Sequence, residues 1–334
     1  MGHGMIRKIL LCRAVFLLGF LVLTGCGQPA DPSAYPSKTI TVICPWSPGG
    51  GTDTVSRFFA GELEKELGKT CVVVNQIGGG GAVGHTAGAQ ADPDGHTILM
   101  GTFELSTMHW MGISDLTYAD FTPLMQVNKD AAAILVKADA PWATIEQLVD
   151  HIQSSKDKDK VKMSGTASGG AWDLARAGFM LAAGLTPRDA IWVPTQGAAP
   201  SILELLGGHI DVVCCSLPEA AAQIESGQLR ALGVMAAERV PGYPDVPTLK
   251  ESGFEWEALG WRGLLLPKGT PQVIVDKLVA ALGKITASEA YVEFMQANGF
   301  GEEIKQPAAF AEFLAAQDAQ WNEVIKAAGY AAKE

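Results

Sequence analysis

Short apolar runs alternate with amphipathic segments along most of the chain, and glycine or proline marks the junctions between them. Residues 39–44 have the length and β-branched content of a strand. Residues 53–67 place apolar side chains at the i, i+3, i+4 spacing of an amphipathic helix, and Gly68 follows where helices favour glycine. The unit recurs as a strand at 71–75, a helix at 82–91 and a strand at 97–100. This alternation predicts βαβ units and a parallel sheet.

A second region of the same kind follows a long extended stretch at residues 124–136. It opens with a helix at 144–154 and a charged run at 156–160 that is typical of a solvated turn, and we then predict strands at 161–164, 190–193 and 210–215 with helices at 172–183 and 200–207. Another extended stretch at 258–266 precedes three C-terminal helices, near 271–282, 288–298 and 307–327.

Because an extended stretch flanks the middle region on each side, we expect the chain to leave one lobe and return to it. This gives one lobe of residues 39–127 plus 257–334 and another of residues 128–256. Such a topology is typical of a hinged binder with a cleft between two lobes. Two sequential domains without a return fit the same pattern.

The N-terminus has the order of a signal peptide, which we place at residues 1–25. Arg7, Lys8 and Arg13 precede the apolar run 14–23. This run holds about ten residues, whereas a helix that crosses the bilayer core needs about 20. We therefore expect an exported chain.

The end of this segment, Leu23-Thr24-Gly25-Cys26, resembles the lipobox of bacterial lipoproteins. The resemblance implies cleavage before Cys26 and a diacylglycerol on its sulfur. An ordinary signal peptide with a cysteine there by chance is the alternative. Residues 26–38, rich in Pro, Ser, Gly and Asp, predict a flexible tether.

The charge balance of the chain limits its partners. It carries 36 acidic and 25 basic side chains, for a net charge of −11, and residues 1–25 hold three of the basic and none of the acidic ones. Nucleic acid is therefore excluded as the expected partner. A surface this acidic does not attract anions in general, so an anion site would be local and made from oriented backbone groups.

The cysteines and histidines carry no motif of metal binding or catalysis. Four cysteines beyond Cys26 lie in or beside apolar strand-like runs without ligand spacing, and both buried thiols and a disulfide fit them: Cys44, Cys71, Cys214 and Cys215. The glycine-rich segment 49–54 spells neither a P-loop nor a dinucleotide fingerprint, and Ser168 lies in no nucleophile elbow. We expect no catalytic residues, no metal and no cofactor.

Four strand-to-helix loops share small residues and hydroxyls: residues 47–53, 78–81, 168–170 and 195–197. The unpaired N–H groups and positive dipole end of a helix N-terminus bind anions, and glycine lets a carboxylate approach the backbone. In open α/β sheets such loops lie at the carboxyl ends of strands, where ligands bind. Each loop alone is equally typical of a capped turn, but two come from each predicted lobe. Closure would bring all four around one ligand.

Six ordered motifs, from about Tyr35 to the C-terminus, resemble the tripartite tricarboxylate transporter receptors, also called the Bug family. They are Pro45-Trp46-Ser47-Pro48-Gly49-Gly50-Gly51-Thr52-Asp53, Val74-Asn75-Gln76-Ile77-Gly78-Gly79-Gly80-Gly81, Asp94-Gly95-His96-Thr97-Ile98-Leu99, Leu206-Gly207-Gly208-His209-Ile210-Asp211, Pro244-Asp245-Val246-Pro247-Thr248 and Pro267-Lys268-Gly269-Thr270-Pro271. The resemblance implies a type II periplasmic-binding-protein fold. It also implies capture of a di- or tricarboxylate, an aromatic acid or an acidic amino acid for a membrane permease.

The resemblance also implies ligand-binding residues. In the family the first two glycine loops hold a ligand carboxylate through backbone groups and water, which here points to Ser47, Gly50, Thr52, Asp53, Gly80, Gly81 and Ala82. Loops of the other lobe select the ligand, which points to Ser168, Gly169, Thr195, Gln196 and Gly197.

Four further candidates depart from the family or lie near its pocket: Trp46, where many members carry Phe, Cys215, where many carry Asp or a small residue, and Thr102 with Glu104 just past the third strand. If Glu104 faces the ligand, an amine or a protonated group fits the site. A surface carboxylate is the alternative.

The function that these features predict is hinge closure on a carboxylate, with ligand contacting both lobes only in the closed form. We expect a monomer, periplasmic or on the cell surface, held to a membrane by lipid. A ligand-sensing subunit of a signalling system could use the same fold. An enzyme such as a transferase would need a base or cofactor lysine that the sequence does not offer.

Overall fold

The computed structural model describes residues 34–155 and 160–332. Within them the strands are β1 (Ile40–Cys44), β2 (Cys71–Asn75), β3 (Thr97–Thr102), β4 (Phe121–Lys137), β5 (Lys162–Ser164), β6 (Ile191–Trp192), β7 (Val212–Ser216), β8 (Leu229–Val234) and β9 (Leu259–Pro267). The α-helices are α1 (Gly51–Leu67), α2 (Ala82–Ala89), α3 (Ile145–Ser154), α4 (Ala171–Ala182), α5 (Ala198–Leu206), α6 (Ala221–Glu225), α7 (Gln272–Thr286), α8 (Glu289–Asn298) and α9 (Pro307–Ala327).

Most elements lie within a few residues of their predicted positions, but β8 and α6 were not predicted. The sequence of β8 contains Arg230 and Gly233 among its apolar residues, and this interrupts the apolar run that would predict a strand. The parallel sheet is only partly correct. β1, β2 and β3 are parallel to one another, as are β5, β6 and β7, whereas β4, β8 and β9 pair antiparallel with their neighbours.

The antiparallel strands arise where the chain crosses between two halves of one sheet, in the order β2-β1-β3-β9-β4-β7-β5-β6 with β8 also on β4. From Phe121 to Ala131, β4 pairs with β9; from Ala132 onward it pairs with β7 and β8. We call β1, β2, β3, β9 and the start of β4, with their helices, the first lobe, and β5 to β8 with the end of β4 the second lobe. The strand changes partners a few residues after the predicted boundary at 127/128.

The structure has two hydrophobic cores, one within the first lobe and a larger one that extends from the first lobe and α9 into the second. Val42, Val55 and Phe59 belong to the core of the first lobe. Phe310 and Trp321 of α9 belong to the larger core, which continues into the second lobe. The C-terminal segment thus packs on both lobes.

Several expectations concern residues outside the described ranges. The signal peptide at 1–25, lipid attachment at Cys26, most of the tether at 26–38 and all but the last residue of the charged run at 156–160 lie there. Across residues 34–155 and 160–332, no helix combines the length and apolar character that crossing a membrane requires.

Candidate functional site

A narrow cavity of about 40 Å³ lies between the lobes, at the start of α1, α4 and α5. Parallel strands carry these helix starts to the carboxyl edge of the sheet, as the loop pattern predicts. Seven of the candidate residues line the cavity: Trp46, Ser47, Gly50, Thr52, Thr102, Glu104 and Gly197. The lobes touch here, since the Ser47 N–H donates to the Gln196 carbonyl oxygen at 3.3 Å. The structure therefore has a closed cleft.

Asp53 shapes the first glycine loop from behind and does not line the cavity. Its carboxylate accepts hydrogen bonds from Gly49 N–H at 3.0 Å, from Arg57 at 2.8 and 2.9 Å and from the Asn75 amide at 2.8 Å. Burial raises the pKa of Asp53, but these donors outweigh it and hold the pKa below its ordinary value. All its acceptor capacity is used within the first lobe.

The second lobe repeats this arrangement, an aspartate that fixes the preceding loop, at the start of α4. Asp173 accepts from Gly169 N–H at 2.9 Å and from the buried Arg176 at 2.7 Å, just as Asp53 accepts from Gly49 and its arginine. In both helices the aspartate fixes the loop that precedes the first turn. The first N–H of each helix, at Gly51 and at Ala171, is left to face the cleft, since a helix offers it no internal acceptor.

A glutamate from the opposite lobe accepts each of these two N–H groups. Glu104, which follows β3 in the first lobe, accepts from Ala171 N–H at 2.8 Å. Glu219, in the 3₁₀ turn after β7 in the second lobe, accepts from Gly51 N–H at 3.3 Å. Two carboxylates thus cross the cleft in opposite directions, each to a helix N-terminus whose dipole favours it.

Each glutamate is also held by its own lobe. Thr102 Oγ1 donates to Glu104 at 2.6 Å, and the Ser216 N–H and hydroxyl donate to Glu219 at 3.2 and 3.1 Å. Burial raises the pKa of both glutamates above the ordinary value, and these hydrogen bonds, together with Arg262, oppose the rise. Glu104 is therefore a buried cleft residue rather than a surface carboxylate.

Arg262 of β9 is the basic side chain among the described residues that line the cavity. Its Nη1 pairs with Asp130 at 2.5 Å and also donates to Asn128, its Nε donates to Thr52 Oγ1 at 3.0 Å, and its Nη2 lies 3.3 Å from Glu219. One guanidinium thus serves two carboxylates and ties β4 and β9 to the start of α1.

A chain of hydrogen bonds links the second glycine loop to Glu104. His85 Nδ1 lies 2.8 Å from the Gly81 carbonyl oxygen and Nε2 accepts from Thr102 N–H at 3.2 Å, which requires the neutral ring with its proton on Nδ1. Burial lowers the pKa of His85 to about 4. The Thr102 hydroxyl accepts a hydrogen bond from Trp46 Nε1 at 3.2 Å and donates one to the Glu104 carboxylate.

The remaining candidates lie around the cavity rather than on it. Gly80 and Gly81 adopt positive φ in the second loop, next to Ala82 at the start of α2. Ser168 and Gly169 precede α4, while Thr195 bonds to Ser201 at 2.5 Å. Cys215 is fully buried in β7 opposite Ala133.

The four described cysteines are free and buried, so no disulfide joins them. Burial raises the pKa of Cys44 to about 11 and that of Cys71 to about 12. Raised pKa values disfavour the thiolate, which is the reactive form of cysteine, at neutral pH.

Among the cavity-lining residues that were not candidates, four large or charged side chains bear on its chemistry: Trp172, Glu219, Trp261 and Arg262. Two of them had a signal. Ser216 and Glu219 have the spacing of a capping box, and Arg262 is the one charge in the apolar run of β9. The two tryptophans have no such mark, since an aromatic in an apolar run fits any core.

Comparisons with known proteins agree with this architecture. The profile of the tripartite tricarboxylate transporter family receptor matches residues 55–330. The periplasmic binding protein BugD is 32% identical, with a TM-score of 0.83 over 90% of this chain and 100% of that one. MatC of Rhodopseudomonas palustris with bound malate is 27% identical, with a TM-score of 0.79 over 87% and 100%. Rpa4515 of R. palustris with adipate is 26% identical, with a TM-score of 0.83 over 90% and 100%.

The profile match spans most of the chain, and the solved structures share the two-lobe fold. The resemblance of the six motifs is thereby confirmed. The chain belongs to the tripartite tricarboxylate transporter receptor family, also called the Bug family, of periplasmic solute-binding proteins.

Proposed function

We propose that this protein captures a small organic carboxylate in the cleft between its lobes and delivers it to the membrane permease of a tripartite tricarboxylate transporter. The observation that carries the proposal is the convergence of the starts of α1, α4 and α5 on one cavity. The malate and adipate bound by two solved relatives support the same ligand class.

Of the three helix starts, that of α5 is the best placed to receive a ligand carboxylate. Gly197, Ala198 and Ala199 line the cavity, and the N–H groups of the first turn have no acceptor within the helix. Gly197 has φ 128°, a backbone conformation that side chains rarely adopt, and this conformation brings the loop to the cavity wall. Ser47 and Thr52 face the same space from the first lobe.

A thermal-shift screen over organic acids tests the ligand class. A ligand that binds only the folded protein stabilises it by about 2.7 kcal/mol at a hundredfold excess over Kd. We expect at least one carboxylate to raise Tm, with neutral sugars of similar size as controls. No shift with any carboxylate contradicts the proposal.

The Ala198→Pro variant tests the role of α5. Proline at the first helical position keeps the helix and removes one N–H donor, so we expect carboxylate affinity to fall roughly tenfold or more. Glu289→Pro is the matched control, because Glu289 holds the same position at the start of α8, outside the cavity. Equal affinity of the two variants would place the carboxylate elsewhere.

The proposal includes the hinge and the location. We place the hinge where β4 changes partners at Ala131 and Ala132, and small-angle scattering should show a smaller radius of gyration with ligand.

Export with a lipid on Cys26 would hold the protein near its permease. A fatty-acid label that Cys26→Ala takes up as well as wild type contradicts this part, and light scattering tests the expected monomer.

A further inference from the structure

The charge inside the cavity differs from what a dicarboxylate needs. The carboxylates of Glu104 and Glu219 line it, and Asp130 lies behind Arg262. Against these three acidic groups stands the single guanidinium of Arg262, at 2.5 Å from Asp130 and 3.3 Å from Glu219. A second ligand carboxylate would enter a site that already holds excess negative charge, and charges of one sign repel one another.

The two glutamates also fill the anion positions that a second carboxylate would use. Glu104 accepts the hydrogen bond of the Ala171 N–H, and Glu219 accepts that of the Gly51 N–H. Since Thr102 and Ser216 hold these carboxylates from within their own lobes, opening the cleft does not carry either glutamate away from the ligand space. Of the three helix starts that line the cavity, that of α5 is the one to which no glutamate of residues 34–155 and 160–332 is hydrogen-bonded.

The walls of the cavity favour a cation. Trp46, Trp172 and Trp261 line it together with the two glutamates, and aromatic side chains beside carboxylates are a recurring environment for ammonium groups.

From this geometry we infer that the ligand is a zwitterion, with a carboxylate at the start of α5 and a positively charged nitrogen held by Glu104 and Glu219. The inference rests on the proposed function, because it takes the cavity as the ligand site. It excludes di- and tricarboxylates as the preferred ligands of this family member.

Three matched series of ligands test the inference by calorimetric titration of the purified protein. They are the α,ω-dicarboxylates from succinate to pimelate, the ω-amino acids from β-alanine to ε-aminocaproate, and the fatty acids from butyrate to heptanoate. At equal chain length the three differ only in a terminal carboxylate, ammonium or methyl group. We expect the best ω-amino acid to bind at least about tenfold more tightly than the dicarboxylate of the same length.

Glu104→Gln and Glu219→Gln assign the cation site. Each keeps the size of the side chain and removes its charge, so ω-amino acid affinity should fall roughly thirtyfold or more. Fatty-acid affinity should fall by clearly less than ω-amino acid affinity, because a terminal methyl group makes no contact with the lost charge and only the weakened closure affects it. Glu293→Gln, an exposed change on α8, is the matched control, and urea unfolding of each variant checks its fold.

The outcomes separate the two proposals. A dicarboxylate that binds as tightly as its ω-amino partner overturns the inference and leaves the carboxylate receptor intact. Unchanged ω-amino acid affinity in both folded glutamine variants also overturns it. If no member of the three series binds while another organic acid in the screen does, the inference fails alone. If no organic acid binds, the proposed function fails, and the inference fails with it.

Discussion

Replacing Gly51 with alanine should obstruct the closed cleft while leaving the first lobe folded. A Cβ at this position would lie 2.7 Å from Arg262 Nη2 and 2.9 Å from Glu219 Cγ. Both distances are shorter than van der Waals contact by several tenths of an ångström, so the Arg262 guanidinium must shift and Glu219 must withdraw. Overpacking of this kind costs about 1–3 kcal/mol. The contact with Arg262 lies within the first lobe and should lower stability in the open and closed forms alike, whereas the contact with Glu219 arises only when the lobes meet. We therefore expect a modest loss of stability and a fall in ligand affinity of about 5- to 150-fold.

The same helix provides a matched control at Gly61, where an added Cβ meets nothing within 4 Å. Gly61→Ala should stabilise the protein by about 0.5–1 kcal/mol through the conformational freedom that it removes and leave affinity unchanged. Calorimetric titration with the best ligand of the screen gives Kd, and urea unfolding gives stability. If Gly51→Ala binds within twofold of wild type, Glu219 does not need to reach the start of α1 for ligand binding, and the reasoning fails.

Three further predictions concern buried groups. The His85 pKa of about 4 lies below its ordinary 6.5 because of burial, so the unfolded chain takes up the proton first and stability should fall by about 3 kcal/mol between pH 6.5 and 4. In urea unfolding of His85→Gln, the free energy of unfolding should decrease less between pH 6.5 and 4 than in wild type. Gly178→Ala should lower Tm, since its Cβ would lie 1.9 Å from the Trp256 ring. Cys44 and Cys71 should stay unmodified by Ellman's reagent at pH 8 until urea unfolds the protein.

Each of these has a contradicting result. Parallel pH profiles for His85→Gln and wild type would show that the imidazole does not carry the acid loss. A higher Tm for Gly178→Ala would show that helix propensity outweighs the contact with Trp256. Rapid native labelling of either thiol would show that its strand opens.

The local elements were predictable because local physics decides them. The alternation of apolar and amphipathic segments located β1, α1 and β2 almost to the residue. The glycine loops marked the helix starts, which lie at the sheet edge where ligands bind. The direction of the strand pairing, parallel or antiparallel, was not predictable. β4 and β9 are antiparallel because they carry the chain from one lobe to the other and back.

The site itself was harder to predict because its residues meet only through closure. Glu219 lies 168 positions from Gly51, and nothing near either residue in sequence indicates the other. Asp53 shows the opposite case. Its place in a glycine loop indicates a ligand contact, yet Arg57 and Asn75 use its carboxylate to fix the loop.

The crossed glutamates also bear on how affinity and closure are coupled. Contacts that hold the lobes together without ligand raise the population of the closed form, and apparent affinity rises with that population. A dicarboxylate that displaced Glu104 and Glu219 would lose both contacts on binding, and its own contacts would first have to replace them. A zwitterion that binds between them keeps both, since its nitrogen adds a partner to carboxylates that already bridge the lobes. The same two hydrogen bonds therefore oppose one ligand class and assist the other, which makes charge selection and cleft closure a single property of this site.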